Sequence, residues 1–180
     1  MTQDHPPVLF VGAGPGDPEL ITVKGQKALA RADLVIYAGS LVPEAVLQWT
    51  PASARILNSA GMTLAEIVTE MENAWLEGRQ VVRLHTGDPS LYGAIFEQMA
   101  ELNRQSIPYR VVPGVTAAFA AAAAMGIEYT LPEISQTLII TRMEGRTPVP
   151  QSEALASLGP CAIHRFSYRP IAGLDQGNLF

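Results

Sequence analysis

Short apolar runs alternate with amphipathic stretches along most of this chain. Val8-Leu9-Phe10-Val11 and Leu34-Val35-Ile36-Tyr37 are continuously apolar, and the run at 80–84 reads as another strand. Strands buried on both faces of a parallel sheet have this pattern, whereas half-exposed strands alternate. Residues 109–112 predict another strand, and residues 55–57 a weaker one. Helical patterns lie between the strands. Residues 23–32 follow Thr22, a suitable N-cap, and Pro43 opens a short helix. Thr63-Leu64-Ala65-Glu66 is a capping box ahead of Ile67, Met71, Ala74 and Trp75, which recur at helical spacing until Gly78 ends the helix. Residues 92–103 and the alanine-rich 117–125, closed by Gly126, read as two further helices. The β-α alternation predicts an α/β fold, a parallel sheet flanked by helices.

The pattern changes at Leu131-Pro132-Glu133, which reads as a link. Residues 1–131 are therefore expected to form an N-terminal α/β domain and residues 132–180 part of a second. In that part, 137–141 reads as a strand, 152–158 as a helix and 161–164 as a strand. Residues 165–180 have no clear period and contain Pro170, Gly173 and Gly177.

Composition narrows the class. Of 180 residues, 48% are apolar, enough for an ordinary globular core. No apolar run approaches the roughly 18 residues of a membrane span. The start, Met-Thr-Gln-Asp-His-Pro-Pro, has neither the basic nor the apolar part of a secretory signal, so a cytoplasmic location is expected. The single cysteine, Cys161, rules out a disulfide framework. His5, His85 and His164 are scattered and give no metal-ligand spacing, so no metal is expected. A formal charge of −5 argues against a nucleic-acid partner, which needs a basic surface. It leaves room for an acidic small molecule held by a local basic patch.

Three loops carry the candidate chemistry. They are Gly12-Ala13-Gly14-Pro15-Gly16-Asp17, Thr86-Gly87-Asp88-Pro89-Ser90-Leu91-Tyr92-Gly93 and Pro113-Gly114-Val115-Thr116-Ala117. Each follows a predicted strand, so all three belong at the strand ends where open parallel sheets bind ligands. The first loop begins like a dinucleotide fingerprint but departs from it. Asp17 holds the third glycine position, Pro18 follows, and Ile36-Tyr37-Ala38 supplies no acid for a ribose. Taken singly, Gly-Asp-Pro is a turn and Thr116 an N-cap. His85 and Tyr92 beside the second loop read as core or capping residues, and Cys161 as a small buried one.

The three loops in this order and spacing resemble the motifs of the tetrapyrrole methylases. So do Leu20-Ile21-Thr22-Val23-Lys24-Gly25 and Ala32-Asp33-Leu34-Val35-Ile36-Tyr37. Within that family, Leu84-His85-Thr86-Gly87-Asp88-Pro89-Ser90-Leu91-Tyr92-Gly93 is similar to the branch that methylates C11 of precorrin-4 in cobalamin biosynthesis. So are the segments Gln136-Thr137-Leu138-Ile139-Ile140-Thr141-Arg142 and Gly145-Arg146-Thr147-Pro148-Val149-Pro150. Uroporphyrinogen methylases carry Gly-Gly-Asp-Pro where this chain has Thr86-Gly87-Asp88-Pro89.

The resemblance implies a two-domain fold, homodimers and S-adenosylmethionine as methyl donor in a cleft between the domains. It has no metal cofactor, membrane or nucleic acid in it. Carried over by position, Pro15, Thr86, Gly87, Asp88, Leu91, Thr116 and Ala117 contact the donor. Asp88 suits its ammonium, ribose or sulfonium, and Gly87 allows close backbone approach. The helix opening at Thr116 and Ala117 suits its carboxylate. Lys24, Arg142 and Arg146 are the implied partners of the acetate and propionate groups of a tetrapyrrole. No catalytic base is identified. The resemblance stops after Ala162-Ile163-His164, and 165–180 does not resemble the family's continuation. The second α/β domain is therefore expected to be incomplete, in a truncated or frame-shifted chain. A non-catalytic relative that binds the donor or a tetrapyrrole, or only dimerises, is the alternative.

Overall fold

The computed structural model describes residues 5–39, 41–145, 148–154 and 157. The chain divides into two compact units, Met1–Ala117 and Ala118–Phe180.

The first unit is a five-stranded sheet in which every pairing is parallel. Its strands are β1 (Val8–Gly12), β2 (Leu34–Tyr37), β3 (Arg55–Asn58), β4 (Val81–His85) and β5 (Tyr109–Val112), in the spatial order β3-β2-β4-β1-β5. Three helices connect them: α1 (Val23–Leu29), α2 (Leu64–Leu76) and α3 (Ile95–Arg104). The continuous apolar runs are explained by burial on both faces. Val8, Phe10, Leu34, Ile36 and Val81 pack on one face with Ile67, Val68 and Met71 of α2 and Leu102 of α3. Val11, Val35, Val82 and Leu84 pack on the other with Ala28 and Leu29 of α1 and with Val46.

The order of the strands locates a crevice. From β1 the chain runs to β2 and then β3, toward one edge, with its crossovers on the α1 face. From β3 it returns to β4 and then β5, toward the other edge, with α2 and α3 on the opposite face. Right-handed crossovers require this change of face when the direction changes. The loops after the adjacent strands β1 and β4 therefore leave the sheet on opposite sides. Open α/β sheets bind ligands at such a switch point.

Local chemistry sets the helix ends. Thr22 Oγ1 accepts from the Gly25 amide at 3.1 Å, and the Thr63–Glu66 capping box forms in both directions. Pro43 precedes a short 3-10 helix, Glu44–Trp49. The first helix ends at Leu29, three residues short of the sequence expectation, where the chain turns toward β2.

The predicted helix at 92–103 begins only at Ile95. Tyr92 and Ala94 are left-handed, with φ of 57° and 48°. The chain doubles back there so tightly that a Cβ on Gly93 would lie 2.1 Å from the Pro89 carbonyl oxygen. Tyr92 is consequently exposed and is not a core residue.

The helix α4 (Ala117–Met125), all but its first residue in the second unit, forms as expected, and Gly126 follows it with φ of 63°. Grouping α4 with this unit puts the division at Ala117, upstream of the Leu131-Pro132-Glu133 link read from sequence. The Tyr129 hydroxyl donates to the Ala118 carbonyl, and Leu131 bridges Ser135 around the link. Residues 137–141 do not form the expected strand. β-branched residues need a neighbouring ladder to become a strand, and none pairs with them among the described residues. Within the helix expected at 152–158, Ser152 and Glu153 belong to a 3-10 turn, Gln151–Glu153, and residues 155, 156 and 158 lie outside the described residues. The predicted strand at 161–164 and Cys161 lie outside the described residues.

Candidate functional site

The three glycine loops follow β1, β4 and β5, which are neighbours in the sheet. They are tied to one another pairwise. Gly14 and Gly87 exchange backbone hydrogen bonds, Gly87 N–H donating to Gly14 O at 2.8 Å and Gly14 N–H to Gly87 O at 3.3 Å. Asp88 joins the second loop to the third, its Oδ2 accepting from the Gly114 amide at 2.9 Å. Thr22, just beyond the first loop, donates its hydroxyl to the Pro113 carbonyl at 3.3 Å. Asp88 also closes its own turn, since Oδ1 accepts from the Ser90 amide at 2.8 Å.

Glycine is required at the crossing. A Cβ on Gly12 would meet Gly87 O at 2.5 Å and Gly114 Cα at 2.6 Å, and one on Gly114 would meet Gly87 O at 2.1 Å. Both are collisions with backbone, which cannot rotate away. Asp17, at the position that spoils the dinucleotide fingerprint, accepts from the Glu19 amide at 2.8 Å and caps the 3-10 turn Pro18–Leu20. Proline at the head of that turn has no N–H to offer a pyrophosphate. None of the three loops contains a lysine or arginine. They suit a ligand group that is neutral or positive better than a polyphosphate.

The structure gathers part of the implied donor set. Pro15, Gly87, Asp88, Leu91, Thr116 and Ala117 stand on the three joined loops, with Thr86 exposed at the end of β4. Gly87 is left-handed, with φ of 58°, and a Cβ on it would lie 3.7 Å from the Thr116 α-carbon and 4.0 Å from the Ala117 amide nitrogen. Lys24 is exposed in the first turn of α1. Arg142, in the second unit, donates to the Pro148 carbonyl at 2.9 Å. Arg146 lies outside the described residues.

Sequence reading missed Arg83 and Gln98 beneath the second loop. Arg83 is buried at the centre of β4; it donates through Nε to Gln98 Oε1 and through Nη1 to the Ile36 carbonyl, both at 3.1 Å. Among the described residues no carboxylate pairs with it. Burial lowers its pKa to about 10, so it stays charged at neutral pH. The available signal was a basic residue in the middle of an otherwise apolar parallel strand.

His85 is buried against Phe10, as a core histidine, and its Nε2 has no hydrogen-bond partner among the described residues. Burial, and secondarily the Arg83 charge, lower its pKa to about 3. An unfolded histidine takes up a proton near pH 6.5, whereas this one does not until far lower pH. The unfolded state therefore binds more protons between those values, and stability falls as pH falls. The expected contribution is a slope of about 1.4 kcal/mol per pH unit between roughly pH 6 and 4. His85→Gln should remove that slope, as read from urea unfolding of both proteins across this range.

The fold and the linked loops define a parallel-sheet ligand-binding domain with its site at the strand-end switch point. The chain belongs to the Tetrapyrrole (Corrin/Porphyrin) Methylases, whose profile matches residues 7–167. It is 58% identical over 151 residues to a cobalt-precorrin-4 C(11)-methyltransferase of Methanocaldococcus jannaschii, covering 84% of this chain and 58% of that one. Its structure is similar to that of a cobalt precorrin-4 methyltransferase of cobalamin biosynthesis. The TM-score is 0.82 at 52% identity, covering 87% of this chain and 66% of the other. A uroporphyrin-III C-methyltransferase from Thermus thermophilus complexed with S-adenosyl homocysteine is also similar, with a TM-score of 0.61 at 34% identity. That match covers 74% of this chain and 54% of that one. The chain thus spans about three-fifths of the curated relative's length.

Among the described residues no helix is long and apolar enough to cross a membrane. No group of three or more histidine, cysteine or acidic residues among them could hold a metal ion.

Proposed function

We propose that this chain takes part in methyl transfer from S-adenosylmethionine to C11 of precorrin-4 or its cobalt complex. The observation that carries the proposal is the pairwise linkage of three loops at the switch point by Gly14–Gly87, Asp88–Gly114 and Thr22–Pro113. The activities of the similar proteins favour catalysis over a role confined to binding or dimerisation.

The residues present fit the donor. The Asp88 carboxylate, half-buried beside Gly87, puts negative charge where a sulfonium or ammonium would be held, and no basic residue in the loops opposes it. The exposed Thr86 hydroxyl can bond a ribose, and the first amides of α4, at Ala117, lack an intrahelical acceptor and can take a carboxylate. Pro15 and Leu91 supply apolar contact. When bound, S-adenosylmethionine supplies an activated methyl group on a charged sulfur leaving group. The protein's part is then to bind, align and exclude water, which is worth several kcal/mol and on the order of 7–11 in ideal cases. Lys24, Arg142 and Arg146 are proposed to pair with substrate carboxylates. We also infer a homodimer in the cytoplasm, as the family resemblance and the sequence imply.

Incubation with isotopically labelled S-adenosylmethionine and either precorrin-4 or cobalt-precorrin-4 tests the proposal. Label found at C11 of one of them supports it. Cofactor binding with no transfer to either substrate leaves only the binding role.

A further inference from the structure

We propose that Arg83 and Gln98 are positioning residues that fix the second glycine loop from beneath, without touching the ligand. This rests on the cofactor reading above for its consequence but not for its geometry. The loop leaves β4 after His85 and ends where α3 begins at Ile95. Arg83 sits on the first stem and Gln98 on the second, and both are about 5% exposed. Arginine can only donate, so the Gln98 oxygen must face it, at 3.1 Å from Nε. That choice turns the Gln98 amide nitrogen the other way, onto the Ala94 carbonyl at 3.1 Å. Ala94 is the left-handed residue that reverses the chain into α3. The second branch of Arg83 reaches the Ile36 carbonyl on β2.

A single relay, buried at Arg83 and Gln98, therefore runs from β2 through β4 and α3 to the final residue of the loop. Nothing else in the loop's sequence favours the left-handed turn at Ala94, since alanine lacks the side chain with which asparagine or aspartate stabilises that conformation. The tight fold at Pro89–Gly93 and the placement of Asp88 against Gly114 both depend on where that turn ends. The charge on Arg83 is retained in the core because its bonds hold two backbone carbonyls in place, one directly and one through Gln98.

Gln98→Glu separates positioning from bulk stability. Glutamate has the same shape and accepts from Arg83 at least as well, but an ionised carboxylate cannot donate to Ala94. Amide hydrogen exchange in the ligand-free protein is the first readout. Exchange at Gly87, Ser90 and Leu91 should quicken about tenfold while Phe10, Val11 and Leu84 in the sheet stay unchanged. Binding of S-adenosylhomocysteine is the second, and should weaken about tenfold with the melting temperature held.

Exchange that is unchanged, or that quickens uniformly through the sheet, overturns the positioning role. Failure of the wild-type protein to bind S-adenosylhomocysteine overturns the cofactor reading instead, and the exchange pattern still decides the relay. Gln98→Met, which loses both bonds, should show the same loop effect together with a lower melting temperature.

Discussion

Asp88→Ala is expected to weaken S-adenosylhomocysteine binding by about 100-fold, roughly 3 kcal/mol, when titrated calorimetrically. Two losses combine. One is the negative charge proposed to face the ligand's ammonium, the one cationic group of S-adenosylhomocysteine. The other is internal: the Ser90 and Gly114 amides lose their acceptor, and with it the bond that holds the second loop to the third. Hydrogen bonds to a charged acceptor contribute about 1.5–3 kcal/mol each, so the variant should also unfold at lower urea. Asp88→Asn separates the two effects. Its one remaining oxygen can keep one of the amide bonds but not the charge, so stability should recover in part while binding stays weak. An alanine variant that binds as tightly as wild type would remove Asp88 from the site.

The second large effect is expected at Gly114. In Gly114→Ala the new methyl would lie 2.1 Å from the Gly87 oxygen and 2.8 Å from the Gly12 α-carbon. Neither neighbour is a side chain, so the loops must separate. Overpacking of this kind costs about 3 kcal/mol or more, equivalent to a fall of roughly 10 °C in melting temperature for a chain of this size. The Gly14–Gly87 pair should open with it, so binding is lost along with stability. Gly61→Ala is the control. Nothing lies within 4 Å of a Cβ there, and its φ is not positive. That substitution should be neutral, or stabilising by about 0.4–1 kcal/mol through the unfolded chain. Equal melting temperatures for the two variants would contradict the crowded crossing.

Much of the first unit was legible because its strands are buried on both faces. Val8-Leu9-Phe10-Val11 and Leu34-Val35-Ile36-Tyr37 had no need to alternate, and their runs end where the glycine loop or the next turn begins. The capping box at Thr63 fixed the start of α2 for a purely local reason. The spatial order of the strands was not legible, because short apolar runs do not specify which neighbour they choose. Tyr92 and Ala94 read as helix since their conformation is imposed by the fold back onto Pro89. Residues 137–141 read as a strand on β-branched composition, which does not supply the pairing partner a strand needs. In the site, the motifs pointed to the loops as separate pieces. Their mutual bonds, and the Arg83–Gln98 pair fifteen residues apart, arise only from tertiary proximity.

The three loops are proposed to act together as one cofactor site. Amide hydrogen exchange with and without saturating S-adenosylhomocysteine tests this most directly. Gly14 and Gly16, Gly87 and Asp88, and Thr116 and Ala117 should become protected together, at one ligand affinity. Protection confined to a single loop, or binding that leaves all three unprotected, would contradict it.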